Sequence, residues 1–90
     1  MAPLHVRLYS KPGCELCDQA ALLLDTLHPE YEFVVEKVNI ENDPMLRERL
    51  SAQVPVITID GGNRIAGNVN EERLRRALKR ARQAQTEAAA

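Results

Sequence analysis

Cys14 and Cys17 are the only cysteines in the chain. Two residues three apart at the start of a helix share one face, with Cβ atoms ~5–6 Å apart, whereas a disulfide wants ~3.5–4.5 Å. A bridge between them forms with local adjustment, and a short-loop bridge of this kind is readily reduced, as a shuttling dithiol requires. The run Ser10-Lys11-Pro12-Gly13 forms a turn and delivers Cys14 to the start of a predicted helix. Unpaired backbone N–H groups point there and favour a thiolate over a thiol. Lys11 adds a positive charge, while Glu15 and Asp18 place carboxylates in the same first turn; the balance favours the thiolate.

Two other roles remain open for the pair at this point. Free cysteines are often small buried hydrophobes. A Cys-x-x-Cys is also half of a tetrahedral zinc site, although no second pair or histidine cluster completes one within the chain, and no metal is expected. Two copies of the chain could share a site. His5 lies in a predicted strand and His28 at the far end of the first helix, ~21 Å from Cys14 at 1.5 Å per residue. Neither serves as a base for Cys14, which argues against a Cys-His hydrolase.

The elements that position these residues follow from periodicity and turn chemistry. Leu4 to Tyr9 alternates as a strand does, and Leu16, Ala20, Leu23, Leu24 and Leu27 form the stripe of an amphipathic helix over 15–27, stopped by Pro29. Tyr31 to Ile40 reads as a strand whose inward face is ambiguous. Asp43 is the candidate N-cap of a short helix with Pro44 at its first position and Leu46 and Leu50 on one face. Val54 to Ile59 is a second β-branched run, and the turn Asp60-Gly61-Gly62-Asn63 leads to Arg64-Ile65-Ala66, a hairpin. Asn70 caps a last helix with Leu74, Ala77, Leu78 and Ala81 as its buried stripe, while residues 83–90 have no patterned apolar face and are expected to fray. One domain over residues 1–82 is expected. A right-handed crossover makes the first two strands parallel and the hairpin adds an antiparallel pair, giving a mixed α/β sheet flanked by helices.

Pro55 stands in a β-rich run, where a proline removes a ladder donor and belongs at a strand start or edge. In the fold these elements imply, it also reads as a cis-proline beside Cys14 that leaves the backbone of Val54 free to pair with an incoming strand.

Ninety residues, 44% hydrophobic and 28% charged, hold one small domain. With no Trp and one Phe, its core must come from Leu, Val, Ile and Ala. No apolar run approaches the ~18 residues of a membrane span, and residues 1–10 do not read as a secretory leader, so a soluble cytoplasmic monomer without membrane contact is expected. The formal net charge of −1 excludes nucleic-acid binding driven by a globally basic surface. That near-neutrality is a cancellation: residues 1–63 hold five basic and ten acidic side chains, residues 64–90 seven and three. The basic run from Arg73 to Arg82 reads mainly as a solvated face, since Glu71 and Glu72 precede Arg75 and Arg76 by four positions.

Leu8-Tyr9-Ser10-Lys11-Pro12-Gly13-Cys14-Glu15-Leu16-Cys17, then Asn42-Asp43-Pro44, Val54-Pro55-Val56 and Gly67 resemble the thioredoxin superfamily, and within it a small glutaredoxin-like protein. The likeness spans roughly residues 4–82. It implies a thioredoxin-like fold of glutaredoxin type, βαβαββα with a four-stranded sheet, and thiol-disulfide oxidoreductase activity. Cys14 would then be the nucleophile and Cys17 the resolving thiol. Lys11, Val54, Pro55 and Gly67 would line a substrate or glutathione groove, with glutathione as a co-substrate rather than a bound cofactor. Implied partners are a disulfide-containing protein or low-molecular-weight thiol, and glutathione or a reductase as electron donor. The chain departs from the pattern in two places. Glu15-Leu16 stands where glutaredoxins usually have Pro-Tyr and thioredoxins Gly-Pro, and its negative charge disfavours anionic glutathione. Val69-Asn70 replaces the usual acidic pair. The competing class is a non-catalytic binding module that uses the Val54-Pro55 groove or the basic last helix.

Overall fold

A computed structural model describes residues 3–60 and 63–89. Strand β1 (Leu4–Ser10) leads to helix α1 (Glu15–Leu27), strand β2 (Phe33–Asn39), a single 3-10 turn (Ile40–Asn42) and helix α2 (Pro44–Leu50). Strands β3 (Val56–Ile59) and β4 (Asn63–Ala66) and helix α3 (Glu71–Ala89) complete the chain. The sheet order is β2-β1-β3-β4, with β1 and β2 parallel and the β1–β3 and β3–β4 pairs antiparallel. This is the mixed four-stranded α/β sheet expected. Its hairpin turn includes Gly61 and Gly62, which lie outside the described residues.

Strand alternation sorts the side chains onto two unequal faces. Leu4, Val6 and Leu8 of β1, Ile57 and Ile59 of β3, and Ile65 of β4 point to one face and are buried under Ala20, Leu24 and Leu27 of α1 and Leu74, Leu78 and Ala81 of α3. His5, Arg7, Tyr9, Thr58 and Arg64 alternate onto the opposite face. Among the described residues the seven-residue α2 lies over it, through half-buried Leu46 and Leu50.

β2 is an edge strand, which resolves its ambiguous pattern. Phe33 is buried, but Val34 and Val35 are 46% and 36% exposed. Both caps form as expected. Asp43 Oδ1 accepts from the N–H groups of Met45 and Leu46, and Asn70 Oδ1 accepts from that of Arg73. The i,i+4 pairs Glu71–Arg75 and Glu72–Arg76 are present, and Arg75 also pairs with Glu30, tying α3 to the turn after α1.

α3 continues through residues 83–89 to Ala89. Ala, Gln and Glu are good helix formers, so the segment propagates from a packed helix without an apolar stripe of its own. The Arg82 guanidinium donates to the Glu32 carbonyl at 2.6 Å, and Thr86 Oγ1 donates to the Arg82 carbonyl at 3.1 Å.

Candidate redox site

Gly13, with φ of +73°, turns the chain from β1 into α1, a left-handed conformation that a Cβ would oppose. Cys14 then occupies the N-cap position in an extended conformation. Its Sγ accepts the backbone N–H of Cys17 at 3.2 Å, and its carbonyl accepts that of Asp18 at 3.2 Å. The same sulfur is joined to Cys17 by a disulfide, with Cα atoms 5.2 Å apart, inside the usual range for such bridges. The two sulfurs are not equivalent. Cys17 is 4% exposed and faces the interior, whereas Cys14 is half-buried at the helix tip. A reagent from solvent therefore meets Cys14 first. Exposed Glu15, Leu16 and Asp18 surround it.

The sheet register brings the second half of the site to the same place. Tyr9 lies opposite Val56, so the loop leaving β1 and the segment entering β3 emerge at one end of the sheet. The Val54–Pro55 peptide is cis and Pro55 is buried. Lys11 Nζ donates to the Ser51 carbonyl at 3.0 Å, linking the cysteine loop to this segment.

Lys11, Val54, Pro55 and Gly67 are linked at this end of the sheet, with much of their donor capacity used internally. The Val54 N–H donates to the Leu50 carbonyl at 3.0 Å. The expectation of a free Val54 backbone thus holds only for its carbonyl, which takes no hydrogen bond among the described residues. The reason is that the turn after α2 continues the helical pattern and claims the N–H. Gly67, with φ of +75°, gives its N–H to the carbonyls of Gln53 and Pro55 at 3.2 and 3.0 Å. The Leu50 and Ser51 carbonyls, which accept from the Val54 N–H and from Lys11 Nζ, are partners that sequence reasoning missed. A backbone carbonyl is common to every residue type and leaves no signature in a sequence.

His5 and His28 are outside the site. His5 is exposed on β1, with its backbone N–H on Asp60, and the His28 ring packs edge-on against Phe33. Among the described residues no three metal-binding side chains cluster, and no helix is long and apolar enough to cross a membrane.

The family model described as "Glutaredoxin-like domain (DUF836)" matches residues 5–79. The chain belongs to this glutaredoxin-like family. An uncharacterised protein of Mycobacterium tuberculosis, Rv0508, is 28% identical to it over 85 residues, covering 89% of this chain and 88% of its own length. The crystal structure of target protein XcR50 from X. campestris superposes with a TM-score of 0.74 at 29% identity, covering 84% of this glutaredoxin-like chain and 97% of the other. Thioredoxin 1 from Thermosipho africanus has the same fold, with a TM-score of 0.71 at 16% identity and coverage of 91% and 98%. The glutaredoxin-like domain is thus a thioredoxin fold carrying its Cys-x-x-Cys pair as a disulfide at the head of α1, an arrangement consistent with redox function.

Proposed function

We propose that this glutaredoxin-like protein is a thiol-disulfide oxidoreductase acting on disulfides of polypeptides or low-molecular-weight thiols. One arrangement carries the reading: a half-exposed cysteine caps α1, is bonded to a buried cysteine one turn on, and shares its end of the sheet with a cis-proline. In the reduced protein the Cys14 thiolate attacks one sulfur of the substrate disulfide. The Cys14–substrate S–S bond forms, the substrate's own S–S bond breaks, and the departing thiolate takes a proton from water. The Cys17 thiolate then attacks Cys14 Sγ, the second substrate thiolate leaves, and the Cys14–Cys17 disulfide closes, so that two electrons have passed to the substrate. Glutathione or a reductase returns the pair to the dithiol, which suits a monomer working in the reducing cytoplasm.

The internal engagement of Lys11, the Val54 N–H and the Gly67 N–H, with Glu15 beside Cys14, supports polypeptide disulfides over glutathione as the preferred substrate. The open Val54 carbonyl is an acceptor for one N–H of an extended substrate segment. The test compares insulin reduction with hydroxyethyl-disulfide reduction, and uses Cys17→Ser to trap the mixed disulfide on Cys14. Turnover with insulin and a trapped adduct that dithiothreitol releases are expected. A pair that neither opens with dithiothreitol nor recloses with oxidant sinks the proposal.

A further inference from the structure

The thinly covered face of the sheet holds a cavity that the redox chemistry does not use. It opens beneath α2 with a volume of about 480 Å³, within the ~300–1,000 Å³ span of small-molecule sites. Its floor is apolar, made of Tyr9, Leu46, Leu50 and Val56. Its rim is cationic. Arg49 on α2 and Arg64 on β4 both line it, and no carboxylate does. The ion pairs of the described residues leave both guanidiniums out, since they engage Arg7, Arg75 and Arg76 instead.

Arg64 is also held in place. Its Nη2 donates to Gln53 Oε1 at 2.8 Å, and Gln53 Nε2 donates to the Arg49 carbonyl at 3.1 Å, so one amide side chain bridges the two walls. A cation fixed at the lip of an apolar hollow, with no internal counter-charge, is arranged for a ligand that brings the charge with it.

We propose that this cavity binds a small organic carboxylate with a flat apolar body, its charge between Arg49 and Arg64 and its body on the Tyr9–Leu46–Leu50–Val56 floor. A second cationic notch, lined by Arg73, Arg76 and Arg80 between β4 and α3 and reached by Arg64 as well, is smaller, at about 150 Å³, and offers only Ile65 and Ala77 as apolar surface. It therefore suits such a ligand poorly. Because Arg64 borders both, Arg49→Gln is the variant that separates the two sites. The proposal stands apart from the redox reading, because neither cysteine contributes to the cavity. Gln53 does precede the Val54–Pro55 pair, which sets the ligand next to the segment entering the redox site.

The experiment titrates the oxidised full chain with naphthoate and, separately, with its neutral amide naphthamide, following backbone amide resonances. Saturable shifts are expected at Tyr9, Leu46–Leu50, Val56 and Thr58, with naphthamide binding about tenfold more weakly. Arg49→Gln and Arg64→Gln replace exposed side chains, and each should weaken naphthoate about threefold or more while leaving naphthamide unchanged. Equal affinity for the two probes, shifts centred on Arg73, Arg76 and Arg80, or no saturation by about 10 mM would each overturn the assignment.

Discussion

Reducing the Cys14–Cys17 disulfide should change the stability of the fold only slightly, and the size of the change follows from the loop it closes. The bridge joins residues with a sequence separation of 3, a loop of four residues. Closing so short a loop removes about 6 cal/mol/K from the denatured ensemble, or about 1.9 kcal/mol at 25 °C, against about 3 kcal/mol for a fifteen-residue loop. The reduced protein recovers part of this, since a Cys14 thiolate at the α1 N-terminus gains about 0.3–1 kcal/mol from the helix dipole. The oxidised form should therefore be the more stable by roughly 1–2 kcal/mol. Around the thermodynamic cycle, that gap makes the folded pair more reducing than the same pair in the unfolded chain by only about 20–40 mV. Urea unfolding followed by far-ultraviolet circular dichroism, at pH 7 with and without excess dithiothreitol, measures it directly. A gap above about 3 kcal/mol, or a reduced chain that does not fold, would mean that the bridge is a structural staple, and the electron-shuttling argument would fail.

Leu78→Ala empties a fully buried site shared by α3 and the sheet, and should lower the urea midpoint by the equivalent of about 2–5 kcal/mol. Asp43→Ala removes the acceptor for two N–H groups at the head of α2 and should cost about 1 kcal/mol, whereas Asp43→Asn should restore most of it. The hydrogen bond from Arg75 holds the Glu30 carboxyl below its ordinary value near 4.5. A depressed carboxyl stabilises the fold fully above that ordinary value and loses its contribution as pH falls through the lower folded value. Wild type should thus exceed Arg75→Gln in stability at pH 7, with the difference shrinking below about pH 4; a difference independent of pH would refute this origin.

Much of the fold was legible because its signals are local. The Leu stripe of α1, the Asp43 and Asn70 caps and the Glu-before-Arg spacing on α3 depend on residues within one or two turns, and they appear as read except that Leu16, at the first turn of α1, is 57% exposed and Cys17 is buried in its stead. β2 resisted because its pattern depends on sheet position: at an edge, Val34 and Val35 can both face solvent. The tie from the Arg82 guanidinium to the Glu32 carbonyl left no trace in the sequence because the two residues are 50 positions apart. The site divides in the same way. Cysteine spacing and the Val-Pro pair are written in side chains, whereas the Leu50 and Ser51 carbonyls that occupy the Val54 N–H and Lys11 are not.

The unequal exposure of Cys14 and Cys17 bears on survival under peroxide. Peroxide reaching the reduced site meets Cys14, and transfer of one oxygen gives a sulfenic acid there and releases hydroxide. On the dithiol chemistry proposed above, the Cys17 thiolate, one helical turn away, would attack that sulfur and expel hydroxide, closing the disulfide ahead of a second oxidation to the irreversible sulfinic state. Burial keeps Cys17 itself off the oxidation ladder. On that chemistry, an accessible sulfur backed by a sheltered one would turn an oxidative injury into a disulfide that a dithiol of sufficiently low potential can reopen.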